Sequence, residues 1–444
     1  MTYLAGWGNY PVVATECLAQ SGPKKIASMV GAHGQLIARG MGRAYGDAAI
    51  GQSFTLPTLG LNRLRSFDRA RGLLRVEAGV LIADVLAIFV PRGYFLPVVP
   101  GTKFITVGGA IAADVHGKNH HLDGGFINCV EEFRLVTSGG ETVICSRNDN
   151  QQLFAATAGG MGLTGIIVEA TLRLRRIETG WLKQQTHVAA NLDAAIAALE
   201  LTAASTYSVA WIDCLATGKS LGRSLIYTAD HASKQDCDLL GIDRKMFAPP
   251  RTARLTAPLF APSWFLNRAS VGAFNALYFG RGSARAGRPE LVHWDPYFFP
   301  LDAIGHWNRI YGRRGFVQHQ CVIPLHAAHG VLTEILDRVS RRSSVSFLAV
   351  LKQLGESHGL MSFPMRGFTL AMDFPVTDTL LPFLDGLDTL VARAGGRLYL
   401  AKDARQSRAT FEAGYPGITA FRELRKHTGA DQHFASHLSA RLGI

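Results

Sequence analysis

Val99-Pro-Gly-Thr-Lys-Phe-Ile-Thr-Val-Gly-Gly-Ala-Ile-Ala-Ala-Asp-Val-His-Gly-Lys-Asn-His-His121 gathers glycines, small side chains, three histidines and Lys118 into one run. That run has too little side-chain volume for ordinary core. Its glycines let backbone N–H groups approach a ligand closely. His116, Lys118 and Asn119 set polar chemistry beside that approach. The stretch reads as the wall of a large, phosphate-bearing cofactor site. Working outward, Gly40, Gly42 and Gly46 follow an apolar run ending at Ala38, and Gly159–Gly165 precede another at Ile166–Leu174. Several separate backbone approaches suit one long ligand lying across a domain. The Gly40-Met-Gly42 turn lacks the third glycine of GxGxxG, and no acid follows about twenty positions later at a strand end, which disfavours a nicotinamide site.

The chain has 444 residues, enough for two or three domains or one two-domain enzyme. Hydrophobic residues make up 48% and charged residues 18%, a balance that builds a core rather than a disordered chain. The net charge of +12 favours anionic partners: a phosphorylated substrate, a flavin or nucleotide, or an acidic membrane surface. Nucleic acid fits least, because the basic residues form no reading motif. Six scattered cysteines without a CxxC read as reduced thiols, not a zinc site or disulfide framework. The N-terminus shows no signal-peptide pattern and no run of 18 apolar residues occurs. The expectation is a cytoplasmic protein, with a peripheral place on the inner face of the plasma membrane as its variant.

Periodicity gives an α+β pattern. Helix then strand are expected over 24–38, a strand at 73–78, a helix at 82–90, and an extended run at 95–99. A hairpin is expected from 133–136 and 141–144, with strands at 166–174, 369–375 and 396–400. Helix is expected at 380–394 and over most of 422–442. Composition shifts after Ile177, and residues 181–320 hold five of the six tryptophans. Between Arg244 and Arg288 stand eight Lys/Arg and no Asp or Glu, interleaved with Leu259-Phe260, Trp264-Phe265-Leu266 and Leu277-Tyr278-Phe279. That segment reads either as a contact with an anionic membrane or as a loop over the active site. His116, His120 and His121 have spacing that permits a metal, but no carboxylate or cysteine is suitably placed, and no metal is expected. Lys402 reads either as a solvated partner of Asp403 or as a fixed cation in a cleft.

Four motifs make the comparison specific: Gly40-Met-Gly-Arg-Ala-Tyr-Gly-Asp47, Pro100-Gly-Thr with Val107-Gly-Gly-Ala-Ile, Asp114-Val-His-Gly-Lys-Asn-His-His121, and Gly162-Leu-Thr-Gly-Ile-Ile167. With these the chain resembles the vanillyl-alcohol-oxidase (PCMH-type) FAD flavoproteins, and within them the polyprenyl-phosphoryl-ribose 2′-oxidases. Gly315-Phe-Val-Gln-His-Gln320, Phe347-Leu-Ala-Val-Leu-Lys352 and Leu398-Tyr-Leu-Ala-Lys-Asp403 extend the resemblance through the second half. The resemblance implies a two-domain α+β fold: an FAD domain over 1–180, an antiparallel-sheet substrate domain over 181–396, and a segment 397–444 returning to the first. It implies that Ala38-Arg39-Gly40-Met41-Gly42-Arg43-Ala44-Tyr45-Gly46-Asp47-Ala48 cradle the pyrophosphate. Gly101, Thr106, Val107, Gly108, Gly109, Ala113, Asp114, Val115, His116, Ile167 and Tyr399 also line FAD. Tyr45 stands in the region where many relatives tether FAD through histidine, which implies non-covalent FAD.

Lys402, with His116 second, is expected to position or deprotonate the reacting hydroxyl. Lys118, Gln320 and Lys352 are expected to hold sugar or phosphate. Thr369 and Ala371 replace the Asn-x-Cys of this branch, and Phe298 stands where it has tyrosine, so these three bear on substrate choice. The implied reaction is oxidation of the 2′-hydroxyl of a polyprenyl-phosphoryl-β-D-ribofuranose. A short-chain NADH-dependent reductase would complete epimerisation to the arabinofuranose donor of cell-envelope polysaccharide. The alternative is an alditol or sugar-lactone oxidase acting on a soluble polyol, and a non-catalytic FAD-binding subunit is a third reading.

Overall fold

The computed structural model describes residues 1–20, 22–241, 246–250, 255–262, 264–342, 346–357 and 359–444. Arg244, Lys245, Arg251 and Arg254 of the basic segment lie outside these. The fold is α+β. A four-stranded sheet, in spatial order Thr2–Ala5, Val12–Cys17, Phe54–Pro57, Leu36–Arg39, stands beside a five-stranded one. The second runs Leu64–Asp68, Leu73–Glu77, Ile166–Arg173, Val130–Val136, Thr142–Ser146. Alternation along Ile166–Arg173 buries Ile166, Val168, Ala170 and Leu172, and one apolar core runs through Leu36, Val76, Ile111, Phe133 and Phe434.

An eight-stranded, wholly antiparallel sheet carries the second half. Its order is Glu290–His293, Trp181–Ala189, Ser224–His231, Tyr207–Ile212, Ala349–Leu354, Gly367–Pro375, Phe316–Pro324, Arg397–Leu398. Helices Leu192–Leu201, Leu325–Ser340 and Leu380–Arg393 cover one face over a core of Leu332, Leu336, Leu351, Leu370 and Leu387. The opposite face looks into the cavity described below. After Leu398 the chain leaves this sheet. Leu400, Phe411, Tyr415, Phe421 and Leu438 then pack with Ile37, Met161 and Leu163 of the glycine-rich half.

Most expected elements form, and three differ. Only Tyr94–Phe95 of the extended run is paired, because Pro97 and Pro100 lack the N–H a ladder needs and Pro97 spends its carbonyl on Asn119 Nδ2 at 2.8 Å. The strand expected at 396–400 shortens to Arg397–Leu398, since the N–H groups of Lys402 and Asp403 turn back onto the carbonyl of Tyr399. The closing helix divides into Ile418–His427, Ala430–His433 and His437–Leu442. Gly429 sits at φ +67° between the first two, and Ser436 caps the third.

Candidate active site

One cavity of about 1280 Å³ joins the glycine-rich half to the open face of the large sheet. At one end the strand Leu36–Arg39 delivers the glycine turn. None of the main-chain N–H groups of Met41, Gly42, Arg43 and Ala44 donates to another protein group among the described residues, and all four residues line the cavity. Unpaired amides in a turn form an anion cradle. Gly42 lies at φ +63°. A Cβ on Gly40 would fall onto Thr106, whose hydroxyl caps helix Val107–Ala112 by accepting from Gly109 N at 3.1 Å. The cradle, the cavity's volume and its walls of Gly108, Gly109 and Ile167 fit a flavin dinucleotide.

Of the residues expected from sequence, the cavity is lined by Ala38, Gly40, Met41, Gly42, Arg43, Ala44, Tyr45, Ala48, Gly101, Thr106, Gly108, Gly109, Ala113, Val115, Ile167 and Tyr399. His116, Lys118, Phe298, Gln320, Lys352, Ala371 and Lys402 line it too. The others stand behind the wall. Arg39 donates to the carbonyls of Ala5 and Ala49. Gly46 packs on the main chain of Asp403 and Ala404. Asp47 pairs with Arg441 at 3.0 Å. Val107 is fully buried in the apolar core. Asp114 accepts from Ser362 Oγ at 2.6 Å and Ile127 N at 3.1 Å. Thr369 touches the site only through Gln320, whose Nε2 lies 3.3 Å from its hydroxyl.

His116 and Gln320 meet at 3.0 Å through their Nε2 atoms. The amide donates, so the imidazole is neutral with its proton on Nδ1, a buried atom with no partner among the described residues. Burial, then Lys352, His120 and Lys402, hold its pKa well below the ordinary value. His120 instead accepts from Gly355 N, and His121 reaches the Ser205 carbonyl, so the three histidines diverge.

Three half-buried lysines share this end. Lys118 donates to the Tyr297 carbonyl and lies 4.0 Å from the Tyr297 ring centre. Burial, with Lys352 second, lowers its pKa to about 7, and burial alone lowers Lys352 to about 8. The Lys402 ammonium sits 3.5 Å from the ring centre of Tyr45. Burial lowers its pKa, Asp373 opposes this, and Lys352 reinforces it. Asp373 is fully buried and accepts from Gln318 Nε2 at 2.5 Å and Tyr311 Oη at 3.2 Å. Burial raises its pKa against those two bonds and Lys402. Sequence reading left Asp373 without a role, since one acid in a strand carries no signal until the fold sets it near a lysine. It also left out Trp211, Tyr227 and Phe274, which line the cavity beside Tyr278 of the basic segment.

An anion cradle opening toward a cluster of half-buried lysines and a neutral imidazole fits an FAD-dependent oxidoreductase, and residues 24–146 match the FAD binding domain family. The chain is 36% identical to decaprenylphosphoryl-β-D-ribose oxidase of Mycolicibacterium smegmatis, over 99% of this chain and 97% of that protein. It is 35% identical to an uncharacterized protein from the mprA 5′ region of Streptomyces coelicolor, over 80% of this chain and 98% of that one. Mouse L-gulonolactone oxidase is more distant, at 23% over 87% of this chain and 84% of its own length. The chain belongs to the decaprenylphosphoryl-β-D-ribose oxidase family, and FAD is its cofactor.

Proposed function

We propose that this enzyme oxidises the 2′-hydroxyl of a polyprenyl-phosphoryl-β-D-ribofuranose to the 2′-ketone. The observation that carries this reading is the convergence of Lys118, Lys352 and Lys402 with His116 and Gln320 at one end of the cavity. A soluble polyol needs no such concentration of basic side chains, whereas a phosphodiester does. Bound FAD, held without a covalent link, supplies the two-electron acceptor for the hydride leaving C2′. Lys118 and Lys352 hold the phosphate. His116 offers Nδ1–H to the sugar, and Gln320 keeps that tautomer in place. Lys402, neutral because it is buried, takes the proton from the 2′-oxygen. Thr369, through Gln320, and Ala371 and Phe298, on the wall, bear on substrate choice.

The ketone is the substrate of a separate carbonyl reduction, for which a short-chain NADH-dependent reductase is the partner. No helix among the described residues is long and apolar enough to cross a membrane. Exposed Leu259, Trp264 and Leu277, beside exposed Arg281 and Arg288, give an amphipathic surface for contact with an anionic bilayer at the cytoplasmic face.

Anaerobic flavin bleaching tests the substrate. Polyprenyl-phosphoryl-ribose should bleach the visible absorbance of the oxidised flavin, and free alditols should not. Bleaching by alditols with no response to the phosphoryl-ribose would overturn the proposal.

A further inference from the structure

The register of the large sheet places Trp211 opposite Val350, Val350 opposite Ala371, and Ala371 opposite Gln320. Directly opposed residues point to the same face, and all four line the cavity. The row spans three inter-strand steps, about 14 Å. Its first member, Gln320, touches His116 and is polar, while the next three are apolar. Beyond Trp211 the apolar character continues. The Trp211 ring lies 4.9 Å from Tyr278 on helix Arg268–Ser283. Phe274 of the same helix lies 5.7 Å from Tyr278 and 4.9 Å from Phe347. Tyr227 Oη donates to Tyr278 Oη at 3.1 Å, so the roof is pinned to the sheet. The helix thus roofs the far end of the row, carries exposed Leu277, and is preceded by exposed Trp264 and Phe265.

We propose that this row is the seat of the substrate's prenyl chain, which runs from Gln320 over Ala371 and Val350 to Trp211 and leaves beneath helix Arg268–Ser283. This rests on the polyprenyl-phosphoryl substrate proposed above and assigns its tail a path. An apolar gallery that begins at the reacting centre needs an occupant that is polar and anionic at one end only. The lysines fix which end enters first. Ala371 is a small side chain at the junction, which leaves the first isoprene room to pass.

The test uses the FAD-loaded protein and two prenyl phosphate photoprobes, one carrying a diazirine near the phosphate and one at the far end. The near probe should label around Ala371 and Val350. The far probe should label Trp211, Phe274 or Tyr278, and unlabelled prenyl phosphate but not ribose phosphate should displace both. Labels confined to exposed Leu255, Leu259 and Trp264, or equal labelling by a long-chain alcohol probe without phosphate, would overturn the path. Val350→Glu should weaken prenyl phosphate binding at least tenfold with the flavin spectrum retained, and unchanged binding would count against the gallery. A chain that labels along the row but does not oxidise the polyprenyl sugar keeps the gallery and rejects the substrate. One that oxidises it and labels elsewhere does the reverse.

Discussion

Anion binding at the lysine cluster must take up protons. At pH 8 a lysine with a pKa of about 7 carries about 0.1 of a charge and one at about 8 carries about 0.5. A phosphodiester drawn between Lys118 and Lys352 favours the charged form of both. Binding therefore takes up about 1.4 protons at pH 8 and only about 0.1 at pH 6. The sign follows: the bound state holds more protons, so affinity rises as pH falls. Between pH 8 and pH 6 the gain is on the order of 20-fold, or about 2 kcal/mol. A prenyl methyl phosphodiester is the right probe, because it has no sugar to oxidise and no second ionisation of its own. Calorimetry in two non-phosphate buffers of different ionisation enthalpy reads the uptake directly. Lys118→Met should remove about 0.9 proton at pH 8. Lys352→Met should remove more than its own share of about 0.5, because it also relieves Lys118. An uptake near zero at pH 8, or equal at both pH values, would refute the claim that these lysines rest largely uncharged and receive the phosphate.

Lys402→Met should lower kcat on the order of 100-fold or more while the protein keeps its flavin spectrum, and retained turnover would remove Lys402 from proton transfer. Asp373→Asn removes the charge that holds the Lys402 pKa up, so the acid limb of the kcat–pH profile should move to lower pH. A limb that stays in place would separate the two residues. Gly46→Ala would drive a Cβ into the main chain of Asp403 and Ala404, at a cost of about 3 kcal/mol, visible as lower Tm and poor FAD retention. Arg441→Ala strands Asp47 and Asp403, both nearly buried, and should cost on the order of 3 kcal/mol in chemical denaturation.

The glycine cradle was legible in sequence because glycine spacing reports backbone demands directly. Gly40 and Gly42 meet such demands at Thr106 and at a positive φ. Periodicity found the strand Gly367–Pro375 and the helix Leu380–Arg393 because each buries one regular face. What stayed hidden is cross-strand. Trp211, Val350 and Ala371 are far apart in sequence and become one row only through register. Asp373 is likewise silent until Gln318 and Tyr311 turn toward it. The same blindness put Asp47 and Asp114 on the cofactor wall. Their carboxylates instead serve Arg441 and Ser362, partners 394 and 248 residues away.

The Arg441 bridge also sets a timetable. Asp47 belongs to the cradle turn, and Arg441 grips both it and Asp403, the residue after Lys402. At about 5–20 residues per second, Asp47 waits roughly 20–80 s on the ribosome for its clasp to be made. The nascent glycine-rich half therefore emerges with its cradle unlatched. A latched cradle has to await Arg441, 394 residues after Asp47.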